Sequence, residues 1–149
     1  MRTLTVDRLN AEIEGAAIEI LETMFFEYAE RVEPGSDTNA SATDIWIGSG
    51  LQFRGEITGW FRARVSESAA IAIAHGFLGG EADDRSEVEQ VVCELTNVLC
   101  GLVLSRLEPA LAFTLESPEV LSDGDAASLR GPSRVRLNSG TLEAGFYAD

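Results

Sequence analysis

Two long helices and a short helix packed on an antiparallel sheet, an α+β fold, follow from three patterns in this sequence. Two long stretches carry apolar residues at three-and-four spacing, the mark of amphipathic helices. Between them, residues 51 to 65 alternate apolar and polar with the period of a strand. Near the C-terminus, Asn138-Ser139-Gly140 separates two short β-prone runs, as a hairpin turn does. The 149 residues suit one domain with a proper core, spanning 1–149, and are short for two.

Residues 7 to 30 read as the first helix. Asp7 is its candidate N-cap, and Leu9, Ile13, Ala16, Ala17, Ile20, Leu21, Met24 and Phe25 form its apolar face. Pro34-Gly35-Ser36-Asp37 ends it, and residues 34 to 42 read as a polar loop. From Leu51 to Val65 the odd positions are mostly apolar or glycine, while Gln52, Arg54, Glu56, Thr58, Trp60, Arg62 and Arg64 hold the even ones. That regularity predicts a sheet with one buried face. Gly55 and Gly59 bracket a reversal, giving a strand over 43–54, a tight turn and a strand over 59–66. A single bent strand is the alternative.

Ser66-Glu67 opens a short helix that runs to Leu78 and is stopped by Gly79-Gly80. Its His75, the one histidine of the chain, has no evident Ser or Cys partner and reads as structural. The second long helix spans about 84 to 107 and ends at Glu108-Pro109. The remainder, 111–149, reads as short strands.

Eleven basic residues against 25 acidic give a net charge of −14. Such a surface repels nucleic acid and anionic lipid, so neither is an expected partner. It suits a protein partner with exposed Lys or Arg, although acidity also serves simply to keep a small protein in solution. Uncharged apolar runs fall short of a membrane span and residues 1–7 lack a signal-peptide core, so a cytoplasmic location is expected. Cys93 and Cys100, on one helix, would lie about 10.5 Å apart along its axis, beyond disulfide reach. Without companion ligands they make no zinc site, and buried, inert thiols are expected.

On a helical wheel the second long helix is apolar over most of its circumference. The remaining stripe is Glu87, Gln90, Glu94, Asn97, Gly101, Ser105 and Glu108, which is the part left to face water. Glu94 and Asn97 are neighbours one turn apart. Asn97 in mid-helix has a propensity cost, and Gly101 costs about 1 kcal/mol relative to Ala. Two poor helix formers side by side suggest a place where something approaches closely. Packing of another helix or a dimer partner at Gly101, with a solvated surface amide at Asn97, would also account for them.

Glu94-Leu95-Thr96-Asn97-Val98-Leu99-Cys100-Gly101 resembles the E-x-x-N motif of the CheC/CheX/FliY chemotaxis phosphatases, with the Leu after Glu and the Gly four after Asn. Ile20 to Phe25 resembles the first helix of that family, Gly55 to Gly59 its strand turn, and Ala69 to Gly80 the helix that follows. The pieces are collinear over roughly residues 7–120. One E-x-x-N is present, which is similar to the CheX branch; the first helix offers Glu19-Ile20-Leu21-Glu22 in place of a second. The sequence departs from the family at Gln90, where a small Asp or Ser is common, and in the spacing of Pro118.

The resemblance implies a phosphatase of a phosphorylated CheY-like response regulator. Glu94 and Asn97 would be the catalytic pair, with Gln90 and Gly101 framing the partner contact. The regulator brings its own acidic cluster and Mg²⁺, so no cofactor is expected on this chain. What remains to be supplied is a water in line with phosphorus. An amide suits that task because it donates and accepts hydrogen bonds, whereas a carboxylate repels phosphoryl oxygens. Glu94 is implied to pair with a regulator Lys. A homodimer is expected, joined through sheet edges or terminal strands. A CheX-like module that docks a regulator without catalysis, or that only assembles, is the competing reading.

Overall fold

The computed structural model describes residues 6–32, 45–80, 84–129 and 133–148. In chain order the elements are α1 (Val6–Met24), β1 (Ala29–Arg31), β2 (Trp46–Arg54), β3 (Gly59–Ser66), α2 (Glu67–Leu78) and α3 (Arg85–Leu107). They continue with β4 (Thr114–Leu115), β5 (Glu119–Val120), α4 (Asp123–Ser128), β6 (Ser133–Leu137) and β7 (Gly140–Tyr147). The seven strands of the described residues form one antiparallel sheet in the order β1-β6-β7-β3-β2-β4, with β5 also paired to β2.

The expected hairpin is present: β2 and β3 pair from Trp46↔Ser66 to Phe53↔Gly59, with the turn between them. Residues 43 and 44 of the expected strand, and the expected loop over 34–42, lie outside the described residues. The inward row of the sheet, Leu51, Phe53, Phe61, Ala63, Val65, Leu142 and Ala144, packs under α1, α2 and α3. Ile57, apolar by position, sits in the turn and is exposed instead.

The end of α2 and the start of α3 follow their local signals, whereas Asp7, the expected cap of α1, lies inside that helix. Asp84 caps α3, its carboxylate accepting from the Ser86 N–H at 3.0 Å. Gly79, at φ 72°, closes α2 by donating its N–H to the His75 carbonyl. By length and hydropathy α3 would pass for a membrane span. Here it is the central element of the fold, with Val92, Leu95, Leu99, Cys100 and Val103 wholly buried.

Two expectations are corrected. The first helix does not run to residue 30: it ends at Met24, Phe26 turns left-handed at φ 59°, and Ala29–Arg31 pair with β6. The Glu27 N–H closes this end on the Leu21 carbonyl at 2.8 Å. The stretch 111–149 is also not strands alone, because α4 lies within it, capped by the Ser122 hydroxyl accepting from the Asp125 N–H.

The outer sheet face is not simply solvated. Arg64, at an even position of the alternation, is 4% exposed and Glu143 is 1% exposed. Arg64 pairs with Glu143 at 3.1 Å and donates to the Ala126 and Ala127 carbonyls of α4. Its guanidinium also stacks 3.8 Å over the Trp46 ring. Arg134 Nη2 lies 3.1 Å from the other Glu143 oxygen, an ion-pair contact without hydrogen-bond alignment. Trp60 is half-buried, with Arg62 over its ring.

Candidate functional site

The site is built on one line of α3. Gln90, Glu94, Asn97 and Gly101 follow one another at intervals of four, three and four residues, which sets them in a row about 16 Å long. Gln90 and Glu94 are exposed, and Asn97 and Gly101 half-buried, so the water-facing stripe lies where the helical period predicts. The opposite side of the same helix is fixed by the core: Leu95 and Leu99 are fully buried. That side determines the rotation of α3 and hence the outward aim of the row.

Polar groups on α3 divide into two sets. Thr96 is buried and donates its hydroxyl to the Val92 carbonyl at 2.8 Å, and Ser105 donates to the Leu102 carbonyl at 2.8 Å. Cys93 accepts from the Ser49 hydroxyl, and Arg106 pairs with Glu19 at 2.6 Å. By contrast, no side-chain hydrogen bond or ion pair among the described residues engages Gln90, Glu94 or Asn97. An amide and a carboxylate one turn apart are therefore held at the surface with their hydrogen-bonding capacity open.

Among the described residues, packing does not require Gly101: a Cβ placed there would meet only Leu115 Cδ1 at 3.5 Å, an ordinary contact. Shallow depressions flank the row at both ends. One of about 360 Å³ is lined by Phe77, Leu78, Glu87, Gln90, Val91 and Glu94. The other, about 180 Å³, lies between Gly101, Leu104 and Ser105 and the segment carrying Leu111, Phe113 and Leu115. These apolar walls come from α2 and from the chain after α3, and the α3 pattern gives no sign of them. A third cavity of about 490 Å³, between Leu9, Phe53, Leu107 and Tyr147, includes none of the four row residues.

Other chemistry is sparse. Burial pushes the Cys100 thiol up to about 12 and raises that of Cys93, so neither is a ready nucleophile at neutral pH. His75 is exposed on α2. Among the described residues no three His, Cys, Asp or Glu side chains converge to hold a metal ion.

A family model described as chemotaxis phosphatase CheX matches residues 47–136, a span that contains the hairpin, α2 and all of the α3 row. The chain belongs to the CheX family. Its fold is similar to that of the chemotaxis protein CheX from Vibrio vulnificus, at 18% identity and TM-score 0.74, covering 99% of this chain and 100% of that one. It is also similar to CheX from Desulfovibrio desulfuricans, at 18% identity and TM-score 0.70, covering 95% and 99%. A third relative in fold is CheX in the CheX-CheY-BeF₃-Mg²⁺ complex from Borrelia burgdorferi, at 16% identity and TM-score 0.62, covering 92% and 95%. At these identities the likeness is one of fold. No curated protein matches the chain in sequence.

Proposed function

We propose that this CheX-family chain accelerates hydrolysis of the aspartyl phosphate on a CheY-like response regulator, with Asn97 as its catalytic residue and Glu94 as its register contact. The observation that carries this reading is the unengaged Asn97 amide one turn from the unengaged Glu94 carboxylate, on the outward row of a helix rigidly seated in the core. Family membership supports the substrate class.

Docked on the regulator, the Asn97 side chain enters beside the phosphoryl group. Its amide oxygen accepts a hydrogen of the attacking water and its N–H₂ donates towards the phosphoryl oxygens, which aligns water, phosphorus and the aspartyl oxygen. The new P–O bond to water forms as the bond to the aspartyl oxygen breaks, and the water proton passes to the departing phosphate. Orientation of this kind is how an amide side chain contributes in phosphoryl transfer without acting as a base. Glu94 pairs with a regulator Lys, a charge-assisted contact that fixes Asn97 in depth and angle. Gln90 and Gly101 frame the contact at either end. Mg²⁺, held by the regulator's own acidic cluster, neutralises phosphoryl charge, and no ligand for it is asked of this chain. The setting is then the cytoplasm, where response regulators act.

Phosphate release from a phosphorylated CheY-like regulator of the same genome tests the reading, with wild type and Asn97→Ala, each with and without Mg²⁺. Acceleration by wild type that is lost in the variant is the expected result. Binding without acceleration by wild type would instead make the chain a docking module, a reading that Gln90 favours by standing where family members often carry Asp or Ser. A homodimer joined through a sheet edge is the assembly we propose, and sedimentation tests it.

A further inference from the structure

We infer that Phe26, Phe77 and Leu78 form an apolar seat for the partner, which receives an apolar side chain flanked by basic residues immediately beside Glu94. The inference rests on the regulator reading and deepens it, because it names a second, non-catalytic anchor for the same docking event.

Three observations build the seat. Phe26 is 73% exposed and takes φ 59°, a backbone conformation that ordinarily selects Gly or Asn. A large aromatic held in water at a position that disfavours it serves neither the core nor the turn, and such outliers gather at ligand contacts. Second, α2 meets the end of α1 backbone to backbone: a Cβ on Gly76 would fall 2.1 Å from the Phe25 carbonyl oxygen and 3.8 Å from Phe26 Cβ. That close approach places Phe26 against the turn of α2 that carries Phe77 and Leu78, which are 39% and 48% exposed. The Phe77 ring stacks on buried Phe25 with centroids 5.1 Å apart, so the ledge is anchored in the core. Third, Phe77 and Leu78 form the apolar wall of the depression whose other wall carries Glu87, Gln90 and Glu94.

Charge selects the occupant. No ion pair among the described residues engages the Glu87 or Glu94 side chain, and the chain carries −14 overall. An apolar side chain with Lys or Arg next to it fits both walls at once. A second copy of this acidic chain would bring like charges to the same rim. The occupant is therefore the regulator, and the Lys that Glu94 engages belongs to the same patch.

The test is equilibrium binding of wild type, Phe26→Gly, Leu78→Ser and Asn97→Ala to a CheY-like regulator loaded with beryllofluoride and Mg²⁺, followed by phosphate release and thermal unfolding. Phe26→Gly suits φ 59° better than Phe, so its thermal midpoint holds or rises while binding weakens about tenfold, as does binding by Leu78→Ser. A stable variant that binds less well separates docking from folding. Unchanged binding by both variants, while Asn97→Ala loses hydrolysis, overturns the seat and leaves the phosphatase reading standing. Weakened binding with no hydrolysis by wild type keeps the seat and removes catalysis. If wild type binds no loaded regulator, seat and reading fall together; altered self-association of the two variants would then give the ledge to a second copy and overturn the regulator assignment.

Discussion

The outer face of the sheet and the outward row of α3 are both polar, yet they treat their charges in opposite ways. On the sheet, Arg54, Arg62, Arg64, Arg134 and Arg136 share one face, five of the eleven basic residues of an acidic chain. All five are engaged: Arg54 with Glu116, Arg136 with Glu30, Arg64 and Arg134 with Glu143, and Arg62 over the Trp60 and Tyr147 rings. On α3, Gln90, Glu94 and Asn97 engage nothing among the described residues. A polar group that is paired and buried holds the fold together. One that is open, and carried on a rigid helix, is available to another molecule. Substitutions on the two faces should therefore fail in different assays.

The largest effect belongs to the sheet. Glu143→Ala leaves Arg64, 4% exposed, buried without its carboxylate. Breaking a buried pair from one side costs about 3–5 kcal/mol, and calorimetry should show a midpoint lowered by roughly 10 °C. Phosphate release per folded molecule should hold. The double change Arg64→Met with Glu143→Leu should recover part of the loss, but not all, because Arg64 also satisfies the Ala126 and Ala127 carbonyls of α4. A Glu143→Ala protein of wild-type stability would erase the contrast between the two faces.

Asn97→Ala should behave in reverse. Regulator dephosphorylation falls about 10²-fold, equivalent to about 2.7 kcal/mol of barrier, while the thermal midpoint stays or rises, since Ala is the better helix former. Loss of both activity and fold would mean that Asn97 is structural after all. Glu94→Gln should act on affinity more than on turnover. Binding to the loaded regulator weakens about tenfold, and a titration across ionic strength should be flatter than for wild type, because one charge pair has been removed.

The difference between the faces also sets what the sequence could reveal. The aim of Gln90, Glu94, Asn97 and Gly101 depends only on the period of one helix whose apolar side is unmistakable, so their exposure is legible without a structure. The extent of β3 is likewise legible, as are the ends of α2 and α3, where Gly79 and Asp84 supply local signals. Arg64 was not legible. Its even position in the alternation predicts water, and its burial comes from α4, about sixty residues further on. A cue for α4 was present in Ser122 three residues before Asp125, a capping pattern in a stretch otherwise read as strands. The end of α1 was hidden for another reason. Met24 and Phe25 continue the apolar face of α1, so the sequence shows no stop there, and the break that follows Met24 goes with the close approach of Gly76 in α2 to the Phe25 carbonyl. The apolar walls of the site, Phe77 and Leu78 on one side and Phe113 and Leu115 on the other, likewise exist only through tertiary packing.

The smallest effect tests the row at its far end. Gly in a helix interior costs up to about 1 kcal/mol relative to Ala, and at Gly101 the chain has room for the methyl group, with Leu115 Cδ1 at 3.5 Å. Gly101→Ala should therefore raise the thermal midpoint by a few degrees. If Gly101 is there so that the regulator can approach the helix backbone, the same substitution should also weaken regulator binding or turnover several-fold, and Gly101→Leu more so. A variant that gains stability and keeps full activity would end the docked surface at Asn97. Leu111, Phe113 and Leu115 would then have no part in it, and the contact would be centred on Glu94 and its neighbours on α2.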